Sequence, residues 1–138
     1  MNNHRDTEAQ RKPIPEHMNQ TSGAVVSAAY AVHSILGPGL LESVHEKCLE
    51  HALRRRGLLV QRQLLLPIEF EGLRIPSGLR LDILVIDSVV VEVKAAEAVL
   101  PVHKAQLLTY LKLSGHRLGL LINFNVPLIR NGITRVAS

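Results

Sequence analysis

Two neighbouring apolar runs, residues 79–86 and 89–95, constrain the fold more than any other part of the chain. Both are rich in Val, Ile and Leu, and only Asp87 and Ser88 separate them, so they predict a β-hairpin. In the second run, alternation places Val90, Glu92 and Lys94 on one face and only valines on the other. Two charges therefore interrupt an otherwise apolar strand.

The loop length decides which residue of the second strand faces Asp82. If Ile86-Asp87-Ser88 forms a three-residue loop, Val85 pairs with Val89, and the ladder sets Asp82 directly opposite Glu92. A two-residue loop would put the two carboxylates on opposite faces, because one step of register exchanges the faces. We expect the three-residue loop. Alternation would also place three further residues on the face of Asp82: Arg80, Leu84 and Ile86.

Like charges paired on neighbouring strands lie about 5 Å apart at Cβ and repel each other. A hard divalent cation, Mg²⁺ or Mn²⁺, would offset this repulsion, with Asp82, Glu92 and the Val93 carbonyl as ligands. Lys94 would then point at a metal-bound water and at a scissile phosphate. The alternative is a salt-bridged cluster in which Lys94 pairs with both carboxylates and nothing binds.

Two helices are predicted before the strands. Apolar residues recur at the helical period from Ser22, a candidate N-cap, to Gly37. A second helix is expected over residues 40–56, and its polar face includes Glu46. The predicted buried stripe of that helix consists of Leu41, Val44, Cys48 and Ala52. A neighbouring row, expected to form a partly covered edge, consists of Glu42, His45, Leu49 and Leu53.

The rest of the chain completes an α/β pattern. Residues 1–20 are polar and aperiodic, so we expect a disordered leader followed by one folded domain over residues 21–138. The domain should contain a strand over residues 58–70, a break at Pro76-Ser77-Gly78, a helix over residues 101–113 and strands over residues 118–124 and 133–136. With a single cysteine, no secretion signal and no long apolar segment, we expect a cytoplasmic protein that is not in a membrane.

The charge balance favours a polyanionic partner. Sixteen Lys and Arg against twelve Asp and Glu give +4. The first 22 residues are balanced, so the excess belongs to the folded part. Two Tyr, two Phe and no Trp offer no row of stacking platforms, which argues against a protein that coats single strands.

Residues 39–45, GLLESVH, resemble the signature of the G-x-x-E-x-x-Y protein family, which belongs to the PD-(D/E)-x-K nuclease superfamily. The similarity runs from about residue 23 to residue 126 and includes VEVKA at 91–95, AQLLTYL at 105–111 and GLLINF at 119–124. Two positions depart from the pattern. His45 replaces the signature tyrosine, and Leu81 stands where the superfamily name has proline. We expect His45 to be a packing residue.

The resemblance implies a restriction-endonuclease-like core of helix, three antiparallel strands, helix and strand, with an extra N-terminal helix. It implies that Glu42 converges with Asp82, Glu92 and Lys94. It also gives a role to Gln106, which shares one helix edge with Tyr110, although packing is an equal alternative for Tyr110. The expected catalytic residues are Lys94, Glu42, Gln106 and Tyr110, and the expected metal ligands are Asp82, Glu92 and Val93.

The sequence therefore predicts a metal-dependent nuclease that acts on nucleic acid with Mg²⁺ or Mn²⁺. The alternative is a nucleic-acid-binding or protein-binding module that keeps the fold without useful turnover.

Overall fold

The computed structural model of this protein describes residues 12–138. These described residues form three α-helices, which are α1 (Glu16–Leu36), α2 (Glu42–Arg55) and α3 (Pro101–Ser114). The same residues form five strands, which are β1 (Val60–Phe70), β2 (Leu73–Val85), β3 (Val89–Lys94), β4 (Leu118–Asn123) and β5 (Ile133–Ala137). A 3-10 turn, Ile129–Gly132, leads into β5.

The strands form one sheet in the order β1-β2-β3-β4-β5. Neighbouring strands are antiparallel except for β3 and β4, which are parallel because α3 carries the chain across the sheet between them. The predicted α/β class, with a restriction-endonuclease-like core of three antiparallel strands, a helix and a strand after α1 and α2, is confirmed. The predicted short last strand is also present as β5.

The helices form layers on the two faces of the sheet, and this explains the apolar pattern of β3. Val89, Val91 and Val93 pack in the cluster that includes Val25 of α1 and Leu49 of α2. The other face carries a second cluster, to which α3 contributes and which consists of Leu79, Leu81, Leu84, Val90, Leu107, Leu111 and Leu121. A central strand with helices on both faces must be apolar on both, so charges within it stand out.

Helix α1 begins earlier than predicted. Its first residue is Glu16 rather than one that follows Ser22, and Ser22 is buried inside the helix. Pro15 precedes the first turn, and its carbonyl oxygen accepts a hydrogen bond from the Met18 amide. Ile14 and Met18 pack against the core. The predicted disordered leader, residues 1–20, is therefore too long, because residues 16–20 are helical. Residues 1–11 lie outside the described part of the chain.

The buried face of α2 also differs from the prediction. Its buried residues are His45, Glu46, Leu49 and Leu53. Leu41 of the predicted stripe is 73% exposed and Val44 38%. Two adjacent rows of α2 have helical spacing, and the row that was expected to form an edge is the one that packs on the core. Glu46, which was assigned to the polar face, is buried because Arg62 and Gln63 of β1 bind its carboxylate.

Strand β2 is longer than predicted and changes face along its length. It passes through Pro76-Ser77-Gly78, where a register shift opposite Leu66 and Ile68 replaces the expected break. Leu81 packs in the same cluster as Leu84, whereas Ile83 packs in the cluster of α1 and α2. Simple alternation from Arg80 to Ile86 is therefore wrong.

Candidate active site

The register of the β2–β3 hairpin confirms the three-residue loop. Val85 pairs with Val89, and the ladder ends at the pair Ile83 and Val91. The next pair along the ladder would be Asp82 and Glu92. Beyond Ile83, however, β2 pairs only with β1, and beyond Val91, β3 pairs only with β4, as far as Lys94. The two strands separate here, and we call the position of Asp82 and Glu92 the fork.

Each carboxylate at the fork accepts a hydrogen bond from a backbone amide of the other strand. The Asp82 amide donates to Glu92 Oε2 at 2.9 Å, and the Val93 amide donates to Asp82 Oδ2 at 3.0 Å. Asp82 is 7% exposed and Glu92 5%. The side chains thus satisfy amides that the separating strands leave without ladder partners, and this fixes both carboxyl groups beside each other.

The electrostatic environment of the fork disfavours two negative charges. Burial raises the pKa of the Glu92 carboxyl to about 8, and the charge of Asp82 adds to this rise. Burial also raises the pKa of the Asp82 carboxyl, against the hydrogen bond from Val93. The negative charges of Glu46 and Glu42 raise the pKa of Asp82 further. Lys94 opposes these shifts too weakly to cancel them.

Lys94 does not neutralise the fork by direct pairing. Among residues 12–138, no ion pair within 4.0 Å joins Lys94 to Asp82 or Glu92. The salt-bridged cluster considered from the sequence required such contacts. The structure instead holds two buried carboxylates together, and no carboxylate of residues 12–138 forms an ion pair with the half-buried lysine beside them.

A polar cleft of about 430 Å³ opens at the fork. The sequence-predicted side chains that line it are Glu42, Asp82, Glu92, Lys94, Gln106 and Tyr110. Glu42 is exposed rather than partly covered, yet it still borders the cleft. From α3, the Gln106 amide donates to the Tyr110 hydroxyl at 2.7 Å, and both side chains are half-buried. The structure therefore brings residues from α2, β2, β3 and α3 to one opening.

A family model described as the PD-(D/E)XK nuclease superfamily matches residues 19–136. This chain belongs to the PD-(D/E)XK nuclease superfamily. The match includes the fork, the whole of α2 and α3, and four of the five strands entirely. Comparison with curated proteins and with solved structures gave no significant match. Membership of the G-x-x-E-x-x-Y family within this superfamily stays a prediction.

His45, which departs from the expected motif, lies inside this PD-(D/E)XK domain and not in its cleft. Its ring is fully buried and stacks on Phe124, with centroids 4.6 Å apart and planes 9° from parallel. Nε2 lies 3.0 Å from the Gly37 carbonyl oxygen, while Nδ1 has no hydrogen-bond partner among the described residues. The prediction that His45 packs is confirmed.

Four residues that line the cleft of this superfamily member were not singled out from the sequence: Leu65, Ser77, Gly78 and Arg80. Arg80 had a usable signal, because it is a cation two positions before Asp82. Ser77 and Gly78 had none, because Pro76-Ser77-Gly78 indicated a chain break. All four lie on the β1–β2 hairpin beyond the fork, so the hairpin supplies one wall of the cleft.

The oxygen atoms at the fork fit a hard divalent cation. Two buried carboxylates and neighbouring peptide carbonyls are the donors that Mg²⁺ and Mn²⁺ prefer. Within residues 12–138, no three His, Cys, Asp or Glu side chains form a complete ligand cluster. An ion here would therefore keep water molecules or take substrate oxygens, as Mg²⁺ commonly does.

None of the described helices has the length and apolar character needed to cross a membrane.

Proposed function

We propose that this protein is a metal-dependent nuclease that hydrolyses phosphodiester bonds of nucleic acid. The observation that carries the proposal is the fork, where two buried carboxylates lie side by side in a polar cleft and no Lys, Arg or His of residues 12–138 forms an ion pair with them. Burying such a pair is unfavourable unless a positive charge joins it. A divalent ion supplies that charge, and superfamily membership makes a nuclease the best-supported activity.

Asp82, Glu92 and the Val93 carbonyl would hold the ion. When bound, Mg²⁺ or Mn²⁺ supplies charge stabilisation for the phosphoryl group and makes a coordinated water more acidic. The hydrogen bonds from the Val93 and Asp82 amides orient the carboxylates before any ligand arrives. This preorganisation reduces the rearrangement that ion binding would otherwise require.

Lys94 is the proposed catalytic cation. It borders the cleft two residues after Glu92 and forms no ion pair with the fork, so its ammonium group is available to a substrate phosphate and to the attacking water. A preorganised cation stabilises the negative charge that develops in the transition state. Glu42 would accept a hydrogen bond from that water, and the Gln106–Tyr110 pair would orient it or the phosphate.

Nucleic acid is the proposed substrate because the cleft carries Lys94 and Arg80 and because the chain has a net charge of +4. The lone Cys48 suits a reducing compartment, so we place the activity in the cytoplasm. A binding module without turnover is the second candidate. It is favoured by the backbone amides at the fork, which stabilise the carboxylates to some extent without an ion.

A nuclease assay with Lys94→Ala decides between these two functions. The parent should cleave at least one of single-stranded or double-stranded DNA or RNA with Mg²⁺ or Mn²⁺, and chelator should stop the reaction. Lys94→Ala should lower the cleavage rate by roughly 100-fold or more, because a transition-state cation is lost. The matched control is Lys104→Ala, which removes an exposed lysine of α3 outside the cleft and should keep parental activity.

The two functions give different results in this assay. Binding of nucleic acid by the parent without metal-dependent cleavage would favour the binding module. Equal cleavage by the parent and Lys94→Ala would exclude the proposed role of the lysine.

A further inference from the structure

The residue that faces Asp82 across the β1–β2 pair has an unusual backbone. Gln63 has φ of 55°, in the left-handed region that residues with a side chain rarely adopt. Arg62 pairs with Ile83 and Leu64 with Leu81, so the register is the same on both sides, but Gln63 and Asp82 drop out of the ladder. A single left-handed residue therefore lies directly opposite a proposed metal ligand.

The two strands change face at this point. On β1, Val60 packs in the cluster of α1 and α2, whereas Leu64 packs in the cluster of α3. On β2, Ile83 and Leu81 show the same reversal. Residues that alternation would place on one face thus pack on opposite faces, and the reversal lies between them. The backbone at Gln63 allows this reversal without an inserted residue.

A partly buried contact with α2 holds Gln63 in this conformation. Its side-chain amide donates to Glu46 Oε2 at 2.7 Å, and the Arg62 guanidinium donates to the same oxygen at 2.9 Å. Glu46 is 4% exposed, and Arg62 also contacts Glu50 at 3.1 Å. Helix α2 therefore anchors the strand on both sides of the peptide bond between Arg62 and Gln63.

We propose that Gln63 is a positioning residue whose left-handed backbone turns Asp82 toward Glu92, and that its bond to Glu46 offsets the strain of a non-glycine residue there. The part of this inference that concerns metal binding rests on the proposed function. The part that concerns the position of the Asp82 carboxylate does not depend on that function. If β1 and β2 were regular here while Leu81 kept its place in the cluster of α3, alternation would turn Asp82 to the opposite face, and the Asp82 carboxylate would lose its contact with the Val93 amide.

Substitution at residue 63 separates the backbone from the side chain. Gln63→Gly removes the bond to Glu46 but adopts a left-handed backbone without strain. Gln63→Val also removes the bond, and its branched side chain strongly disfavours that backbone. Gln63→Ala is the milder partner if Gln63→Val does not fold.

Two measurements are made on each full-length variant. The first is the hydrogen-exchange rate of the Val93 amide, relative to that of Val91, which pairs with Ile83 before the fork. In Gln63→Val the Val93 amide should exchange faster while Val91 keeps its rate, and Gln63→Gly should resemble the parent. The second is the Kd for Mn²⁺ alone, which should rise roughly 10-fold to 100-fold in Gln63→Val and change little in Gln63→Gly.

Two results would overturn the inference. One is unchanged Val93 exchange in folded Gln63→Val or Gln63→Ala. The other is an equal disturbance of Val93 in Gln63→Gly, because the side chain and not the backbone would then be responsible. If the parent binds no Mn²⁺, the proposed metal site fails, but the exchange rates still decide whether Gln63 positions Asp82.

Discussion

The buried carboxylate of Glu46 and the buried pair at the fork lie close enough for the charge of Glu46 to raise the pKa of both Asp82 and Glu92, but they differ in how their own charge is balanced. Glu46 is 4% exposed, and its Oε2 accepts hydrogen bonds from the Arg62 guanidinium at 2.9 Å and from the Gln63 side-chain amide at 2.7 Å. Asp82 and Glu92 are equally buried, but backbone amides are their only hydrogen-bond donors within residues 12–138. Burial alone therefore does not distinguish a structural carboxylate from a candidate ligand.

The difference shows where a positive charge is missing. The hydrogen bond to Glu46 raises the pKa of Arg62, as expected for a stable ion pair. At the fork, by contrast, burial raises the pKa of both carboxyl groups. The arginine offsets the charge of Glu46, so its removal would leave an uncompensated buried charge, whereas the two carboxylates at the fork have no such partner within residues 12–138 and favour any cation that enters the cleft.

The largest effect on stability is expected from the Glu46 group. Arg62→Met should lower the free energy of unfolding by roughly 2–4 kcal/mol, because it leaves Glu46 buried without a cation. Urea unfolding measures the change. The control is Arg74→Met, which removes an exposed ion pair with Glu69 and should change stability by less than about 1 kcal/mol. Equal midpoints for the two variants would mean that the Glu46 group does not stabilise the fold.

The fork should respond in the opposite way. Asp82→Asn should leave the metal-free protein as stable as the parent or more stable, because it removes a buried charge that desolvation and the neighbouring carboxylates disfavour. The parent should gain about 2.7 kcal/mol when Mn²⁺ is a hundredfold above its Kd, and the variant should gain less. Melting both proteins in chelator and in Mn²⁺ tests this. A metal-insensitive parent together with a destabilised variant would refute the metal site.

The pH dependence of stability should separate the two groups further. The pKa of Glu92 is raised from 4.5 to about 8 on folding, so its proton stabilises the folded state fully below pH 4.5. This contribution is lost progressively as the pH rises through 8. Without metal, the free energy of unfolding should fall by on the order of 3 kcal/mol between pH 5.5 and 8.5.

Glu92→Gln is the matched variant for this pH series. It cannot lose a proton, so its stability should depend less on pH over the same interval. Chemical unfolding of both proteins in chelator at several pH values gives the comparison. Parallel curves would show that Glu92 is not the titrating group.

The smallest effect on activity is expected at His45, which lies on α2 between Glu42 at the cleft and the buried Glu46. His45→Tyr should keep most of the cleavage activity, because the ring packs on Phe124 and does not line the cleft. The larger ring should cost less than about 3 kcal/mol, as expected for a filled core. Activity and melting temperature check both parts. A large loss of activity in a folded variant would show that His45 serves the reaction.

The sequence predicted that Asp82 and Glu92 lie side by side, because only local geometry was needed, but it did not predict that the strands separate there. A three-residue loop fixes the pairing of Val85 with Val89, and alternation then carries it to Asp82 and Glu92. It did not predict that Glu46 is buried, because the partners of Glu46 come from β1, sixteen or seventeen residues later. Helical spacing identifies rows on α2, but tertiary packing selects the row that faces the core.

The sequence pattern also could not predict the irregular backbone at Gln63. Nothing in the residue type of Gln63 indicates a left-handed conformation, which glycine or asparagine adopts more readily. The face reversal on β2 follows from that conformation, so the predicted alternation failed beyond Asp82. The start of α1 at Glu16 depended on the packing of Ile14 and Met18 against a core that the local sequence does not reveal.

The short separation of the fork residues along the chain also bears on the order in which the protein folds. Asp82 and Glu92 are ten residues apart and are joined by a tight hairpin, which closes quickly. In an isolated hairpin both carboxylates would still be hydrated, so their repulsion would be weak. It becomes strong only when the helices exclude water. We therefore expect pH to act mainly on the rate of unfolding and only slightly on the rate of folding, because the strain develops after the transition state.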